Sequence, residues 1–352
     1  MAIAVAERDV GGAGGALPSA GPISNFVAGL LLSSPGEDTE LVCAKTAGVI
    51  RRLIEEVEDP LADDDLQLAL YLCFELHYRS FGKVDPDWEW SPALLTVRAM
   101  LEQAFLDALE AALGPGGPVD PDEVGDSLFK LEAGDDGVSL SRRIETAVGL
   151  AEFREFVVHR SFYQLKEADP HSWAIPRLHG AAKTALLEVQ GDEYGSGRPE
   201  RMHSALFAKT MRALGLEDRE NAYLHLAPGV TLATVNLMSA LGLRRRRRGA
   251  IVGHLAMFEM TSALPNRRYG NALRRLGFNL DATDFYDEHV EADAVHENIA
   301  AYDLAGGLAR AEPELAADIL FGARALLFLE GRFAERLLAA WEDGETSLRQ
   351  PL

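Results

Sequence analysis

SLSRRIETAVGLAEFREFVVHRSFYQLKE, residues 139–167, is the stretch whose periodicity decides the fold. Phe153 with Phe156 and Val157, Val158 with Phe162, and Phe162 with Leu165 stand at helical spacings of three and four, without the two-residue alternation of a half-buried strand. The same period runs through DDLQLALYLCFELHYRSF (64–81) and SPALLTVRAMLEQAFLDALEAAL (91–113). RGAIVGHLAMF (248–258) is the one run where a strand is tempting, and its length and context favour a buried helix. The expectation is therefore an all-α bundle.

Breakers divide the chain. GPGGPVDPDEVGD (114–126) combines Gly, Pro and acid and reads as a linker. It gives an arm over residues 1–22, an N-terminal helical layer over 23–113, a linker over 114–138 and a main helical body over 139–345. The arm, rich in Gly, Ala and Pro, is expected to be mobile. Further breaks fall at Asp169–Pro170 and at GSGRP (195–199).

Composition narrows the function classes. A net charge of −21 argues against a general nucleic-acid binder, since a polyanion would be repelled. The run Arg244–Arg248 is a local exception, read either as a solvated helix end or as a surface for an anionic partner. No apolar run approaches the roughly 20 residues of a membrane span, and the start lacks the pattern of a signal peptide. Two cysteines, Cys43 and Cys73, lie in apolar helical patterns and read as buried thiols in a cytoplasmic protein.

Three places carry chemistry. HVEADAVHENIA (289–300) sets His289, Asp293 and His296 at offsets of four and three, one face of a helix. Such a mixed N/O set suits iron, manganese or zinc, and a solvated acidic face beside Glu288, Glu291 and Glu297 fits equally well. The helix is expected to start at Asp281 or Thr283 and to end near Ala305 or Gly306. In EVQGDEYGSGRPERMHSALF (188–207), Glu193 and His203 flank a tight glycine corner that lets two helices aim side chains at one point. Alternatively Glu193 lies on the surface and His203 packs in the core. In RSFYQLKEADPHSW (160–173), Glu167 ends a helix before Asp169–Pro170. A carboxylate there opposes the helix dipole and invites a cation.

Taken in order, KEADP, DEYGSGRPERMH and HVEADAVH resemble the ligand elements of the haem-oxygenase-like diiron oxidases and oxygenases, over about residues 150–310. The segments DEYGSGRPERMHSALF and FEMTSALP also look like bacterial iron-containing redox enzymes. The resemblance implies a haem-oxygenase-like fold and two ferrous ions held by Glu167, Glu193, His203, His289, Asp293 and His296. Dioxygen would be the co-substrate. It further implies oxidation of a small amine, amino-acid-derived or fatty-acid-like substrate in secondary metabolism, with room for an electron donor and a homodimer. Glu259, Tyr163 and Tyr194 are candidates to hydrogen-bond the ligands from behind. Glu259, on an otherwise apolar helix, would bond instead to Ser262 or to local backbone if it does not support a ligand.

Other residues are set aside. Glu75 and His77 are two apart and cannot chelate together, and Glu75 with Arg79 forms a plain i,i+4 helix pair. His159, His171 and His179 surround Glu167 without a place in the pattern, and His254 reads as a core histidine. GGAGG (11–15) follows no strand and is no nucleotide loop. Two alternatives to the diiron enzyme are a non-catalytic metal- or ligand-binding protein on the same scaffold and a haem- or thiamin-related relative without diiron.

Overall fold

Helix starts follow local capping chemistry. The computed structural model describes residues 17–352, apart from the side chains of residues 293 and 294, so much of the expected arm and the side chain of Asp293 lie outside the described residues. The first helices are α1 (Pro22–Leu31), α2 (Glu37–Glu55), α3 (Asp64–Glu75) and α4 (Pro92–Leu113). Asp63 caps α3 by accepting from the Leu66 amide at 2.7 Å. Asp65, in the first turn, accepts from the amides of Ile23 at 2.8 Å and Ser24 at 2.7 Å, tying α1 to α3.

Residues 114–138, read as a linker, contain α5 (Val124–Ala133), whose Val124 and Leu128 are buried in the main core. The main body then follows. Residues 139–167 form α6 (Leu140–Ala147) and α7 (Leu150–Gln164), succeeded by the short α8 (Asp169–Ser172), α9 (Gly180–Glu193) and α10 (His203–Ala213). The last set is α11 (Gly229–Gly242), α12 (Arg248–Met260), α13 (Ala263–Arg275), α14 (Leu280–Asn298), α15 (Gly306–Ala311) and α16 (Ala316–Glu342). No strand occurs among the described residues, and the tempting run at 248–258 is α12.

The apolar faces of both layers fuse. Leu66 and Leu70 of α3 belong to the same buried cluster as Leu232 of α11 and Leu329 of α16. Cys43 and Cys73 are buried and free. The arginine run is not simply solvated. Arg244 bonds Glu102 of α4, Arg247 bonds Glu110 and Asp318, and Arg248 bonds Glu312, so three of these cations clasp α4 and the last helices. Glu75 also departs from expectation. Its partner is Lys166, buried beside it, while Arg79 turns to Glu220. No described helix is long and apolar enough to cross a membrane.

Two close approaches position α12. A Cβ on Gly253 would stand 1.8 Å from the Ile319 carbonyl, and one on Gly322 would stand 1.8 Å from that of Ala250. Only glycine lets the backbones of α12 and α16 meet so tightly. The start of α14 also differs from expectation. Asn279 is the cap, accepting from the Asp281 amide at 3.1 Å, because its side chain reaches the first free N–H groups. At its far end α14 does not stop near residue 305. It passes into a π-helix over Ile299–Ala305 and then α15.

Candidate metal centre

Each donor sits at an element end or on one stripe. Glu167 lies in the turn after α7, where Ala168 takes a left-handed φ of 73°. Gln190 holds this turn, donating to the Ala168 carbonyl at 2.9 Å and to Ser172 at 2.8 Å. Asp169–Pro170 therefore begin α8, and Glu167 stands beyond the end of α7. Glu193 is the last residue of α9 and His203 the first of α10. The corner between them turns on Gly195, at φ 71°, where an added Cβ would fall 2.7 Å from the Met202 nitrogen. His289 and His296 come from α14.

These side chains converge. Glu167, Glu193, His203 and His289 offer ligand atoms all within 4.8 Å of one another, and Glu193, Glu259 and His296 form a second such group. Glu193 belongs to both. His203 Nδ1 is 2.8 Å from Glu193 Oε2, and His289 Nε2 is 3.5 Å from Glu167 Oε1. His296 Nδ1 is 3.4 Å from Glu259 Oε2. His289 Nδ1 donates to the Phe285 carbonyl at 2.8 Å, which fixes the tautomer and turns Nε2 toward Glu167. The His203 and His289 rings lie 4.2 Å apart, centroid to centroid.

Glu259, expected behind the ligands, offers a carboxylate oxygen within 4.8 Å of ligand atoms of Glu193 and His296, a group that could itself hold an ion. Its Ser262 contact is made by the Glu259 backbone carbonyl, which accepts from the Ser262 hydroxyl at 3.2 Å. Tyr163 lines the small cavity at Glu193, Glu259 and His289. The Tyr194 hydroxyl donates instead to Asp169 at 2.8 Å and stands 2.9 Å from Ser172, pinning α8. Sequence reasoning missed Asp192, whose carboxylate reaches His296 Nε2 at 3.1 Å. Its place one residue before Glu193, at the end of α9, was the available signal.

The electrostatics call for cations. Glu167, Glu193 and Glu259 are 3%, 6% and 4% exposed, a concentration of buried acid that water cannot solvate. Burial raises the Glu167 and Glu259 carboxyls above their usual range, partly opposed by His289 and His296 respectively. Burial also pushes the His296 imidazole down, but Glu259 and Asp192 outweigh it and bring it to about 9. Glu167 Oε2 is buried with no hydrogen-bond partner. An orphaned carboxylate oxygen among imidazoles and acids, all oxygen and nitrogen donors, fits a borderline divalent metal such as iron.

The remaining histidines stand elsewhere. His159 meets Thr231 and Ser347. His171 and His254 meet each other, and His179 is exposed near Glu312. Beside the centre lies a cavity of about 420 Å³, walled by Phe156, Phe207, Phe258, Phe285, Tyr269 and Tyr286. It shares Phe258 and Ser262 with the small cavity at the donors.

Comparison with known proteins adds identity to this geometry. A family described as iron-containing redox enzymes matches residues 154–331, about half of the chain. Nitrosourea synthase of Streptomyces achromogenes subsp. streptozoticus is 27% identical over 191 residues, 53% of this chain and 40% of that protein. The chain thus spans well under half the length of that relative.

Proposed function

Because the chain belongs to the iron-containing redox enzymes, we propose that it is a non-haem diiron oxidase or oxygenase that uses dioxygen to oxidise a small organic molecule. One observation carries the reading: Glu193 is shared by two donor groups, the place a bridging carboxylate would take between two ions. Glu167, His203 and His289 would hold one iron, and Glu259 and His296 the other, with Asp192 as a further carboxylate beside His296. Asp293, implied as a ligand by the family resemblance, has its side chain outside the described residues. Bound iron would supply the oxidising chemistry.

The chain supplies the rest. Phe285, one turn before His289, stands between the donors and the large cavity, so substrate there would lie against the centre. Gln164 Oε1 and Tyr286 Oη are buried there without a protein partner and can orient a polar group. The aromatic rings supply the apolar part of the cavity wall, and Arg160, Arg268 and Glu330 contribute to the charged part. Kinship with a nitrosourea synthase supports an amine or amino-acid-derived substrate of secondary metabolism, with a fatty-acid-like one as the competitor.

Anaerobic titration with iron(II) tests the reading. About two irons per chain are expected, with Glu193→Ala and His289→Ala binding clearly less. Oxygen should then oxidise the bound iron rapidly, with a transient visible absorption band. Variants that bind iron as the parent does would remove the site. Bound iron that oxygen leaves untouched would mark a binding protein instead.

A further inference from the structure

Among the buried histidines outside the donor groups, two meet each other. His171 and His254 are 1% and 3% exposed, and His171 Nε2 lies 3.0 Å from His254 Nδ1. The remaining ring nitrogen of His171, Nδ1, is buried with no hydrogen-bond partner. Phe258 stacks on His254 at 6.2 Å, and Tyr163 meets His171 edge-on at 6.2 Å, so aromatic rings border both.

Each ring opens on a different cavity. His171 lines the space of about 10 Å³ that also touches Glu193, Glu259 and His289. His254 lines a second space of about 20 Å³, bordered by Arg160, Thr234 and Glu330. Each has room for about one water. Arg160 and Glu330, which form a two-pronged ion pair at 2.8 and 2.7 Å, line the large cavity as well. The pair of rings thus bridges the large cavity's edge and the donor cluster.

We propose that His171 and His254 form a proton relay from the Arg160–Glu330 edge of the large cavity to the small cavity beside Glu193 and Glu259. The inference rests on the dioxygen reading above, because reducing dioxygen consumes protons.

The transfer balances with neutral rings. A water in the outer space gives a proton to His254 Nε2, the hydroxide left behind taking a proton from solvent water that enters by the large cavity, and His254 Nδ1 passes its own to His171 Nε2. The His171 Nδ1 proton then leaves for an acceptor in the small cavity. One proton crosses, both rings end neutral in the opposite tautomer, and rotation of the rings restores the start. Burial favours this neutral pair, since it pushes the His171 imidazole down to about 3 and that of His254 well below its ordinary range. A purely structural pair would have no need of an unpartnered nitrogen at the cavity wall.

Rapid mixing of the iron(II)-loaded chain with oxygen, in H2O and D2O, tests the relay. The parent is expected to show a solvent isotope effect on iron oxidation. His254→Gln, which keeps a hydrogen bond but cannot pass a proton, should bind iron normally and oxidise it at least about tenfold more slowly. Added imidazole should restore the rate in His254→Ala. In the iron-free chain at pH 7, nitrogen-15 spectra should show each ring with a single N–H. A His254→Gln rate equal to the parent's, absent imidazole rescue, or a doubly protonated ring overturns the relay alone. A parent that binds iron and never oxidises it with oxygen overturns the dioxygen reading, and the relay with it.

Discussion

Gly253 and Gly322 face each other's helices so closely that a Cβ on either would penetrate the opposing backbone, at 1.8 Å from a carbonyl oxygen. The crossing sets the height of α12, and with it His254 and Glu259. Gly253→Ala and Gly322→Ala are each expected to destabilise the chain by about 3 kcal/mol, the upper range for overpacking. Denaturant unfolding measures this, and a loss within a few tenths of a kcal/mol would show that the helices can part freely.

Gly195 makes the corner that joins Glu193 to His203. Its φ of 71° and the nearby Met202 nitrogen leave no space for a side chain. Gly195→Ala should cost about 1–2 kcal/mol for the left-handed conformation alone. It should also weaken iron(II) binding by about tenfold, because two donors lose their common aim. Unchanged affinity in an anaerobic titration would detach the corner from the centre.

Lys166 and Glu75 are 4% and 1% exposed and pair directly, one residue along the chain from Glu167. Lys166→Met alone should cost about 3–5 kcal/mol by stranding a buried carboxylate. Lys166→Met with Glu75→Leu should recover most of that loss. A double variant as unstable as the single one, measured by urea unfolding, would refute the account.

pH should act on the iron-free chain through His296. Its folded-state acidity constant, about 9, lies above the ordinary imidazole value near 6.5. The stability it contributes is therefore complete below about pH 6.5 and lost as pH rises through 9. Glu259, raised by burial, adds a loss in the same direction. His159 and His171, pushed down to about 3, act oppositely and lose their contribution as pH falls below about 6.5. His296→Gln should flatten the alkaline side only, and an unchanged slope in unfolding curves from pH 6.5 to 9 would contradict this. Iron binding at pH 7 should release a proton from His296, seen as affinity rising with pH.

Helical class was legible because it depends on local spacing, and so was the shared face of His289 and His296: residues three, four or seven apart share a helix face whatever the fold. Glu167, Glu193 and His203 were marked by resemblance to a family pattern, since spacing left each of them open. What spacing cannot show is which distant chain arrives opposite. Glu75 has Arg79 one turn away, yet pairs with Lys166, 91 residues on. Glu259 looked like support for a ligand because its approach to Glu193 and His296 depends on the α12–α16 crossing, a three-dimensional fact. The His171–His254 pair was invisible for the same reason, each histidine alone resembling ordinary core. Asn279 capped α14 ahead of two other suitable residues, a choice set by where the chain enters from α13.

The π-helix at Ile299–Ala305 gives the last length of α14 one residue more than an α-helical path would need. Removing a single residue there would let the segment rewind as α-helix and rotate His289 and His296 by about 100° relative to α15. The registration of the metal-facing stripe is therefore a matter of counting: the chain carries its tuning as length, in a segment that itself contributes no donor.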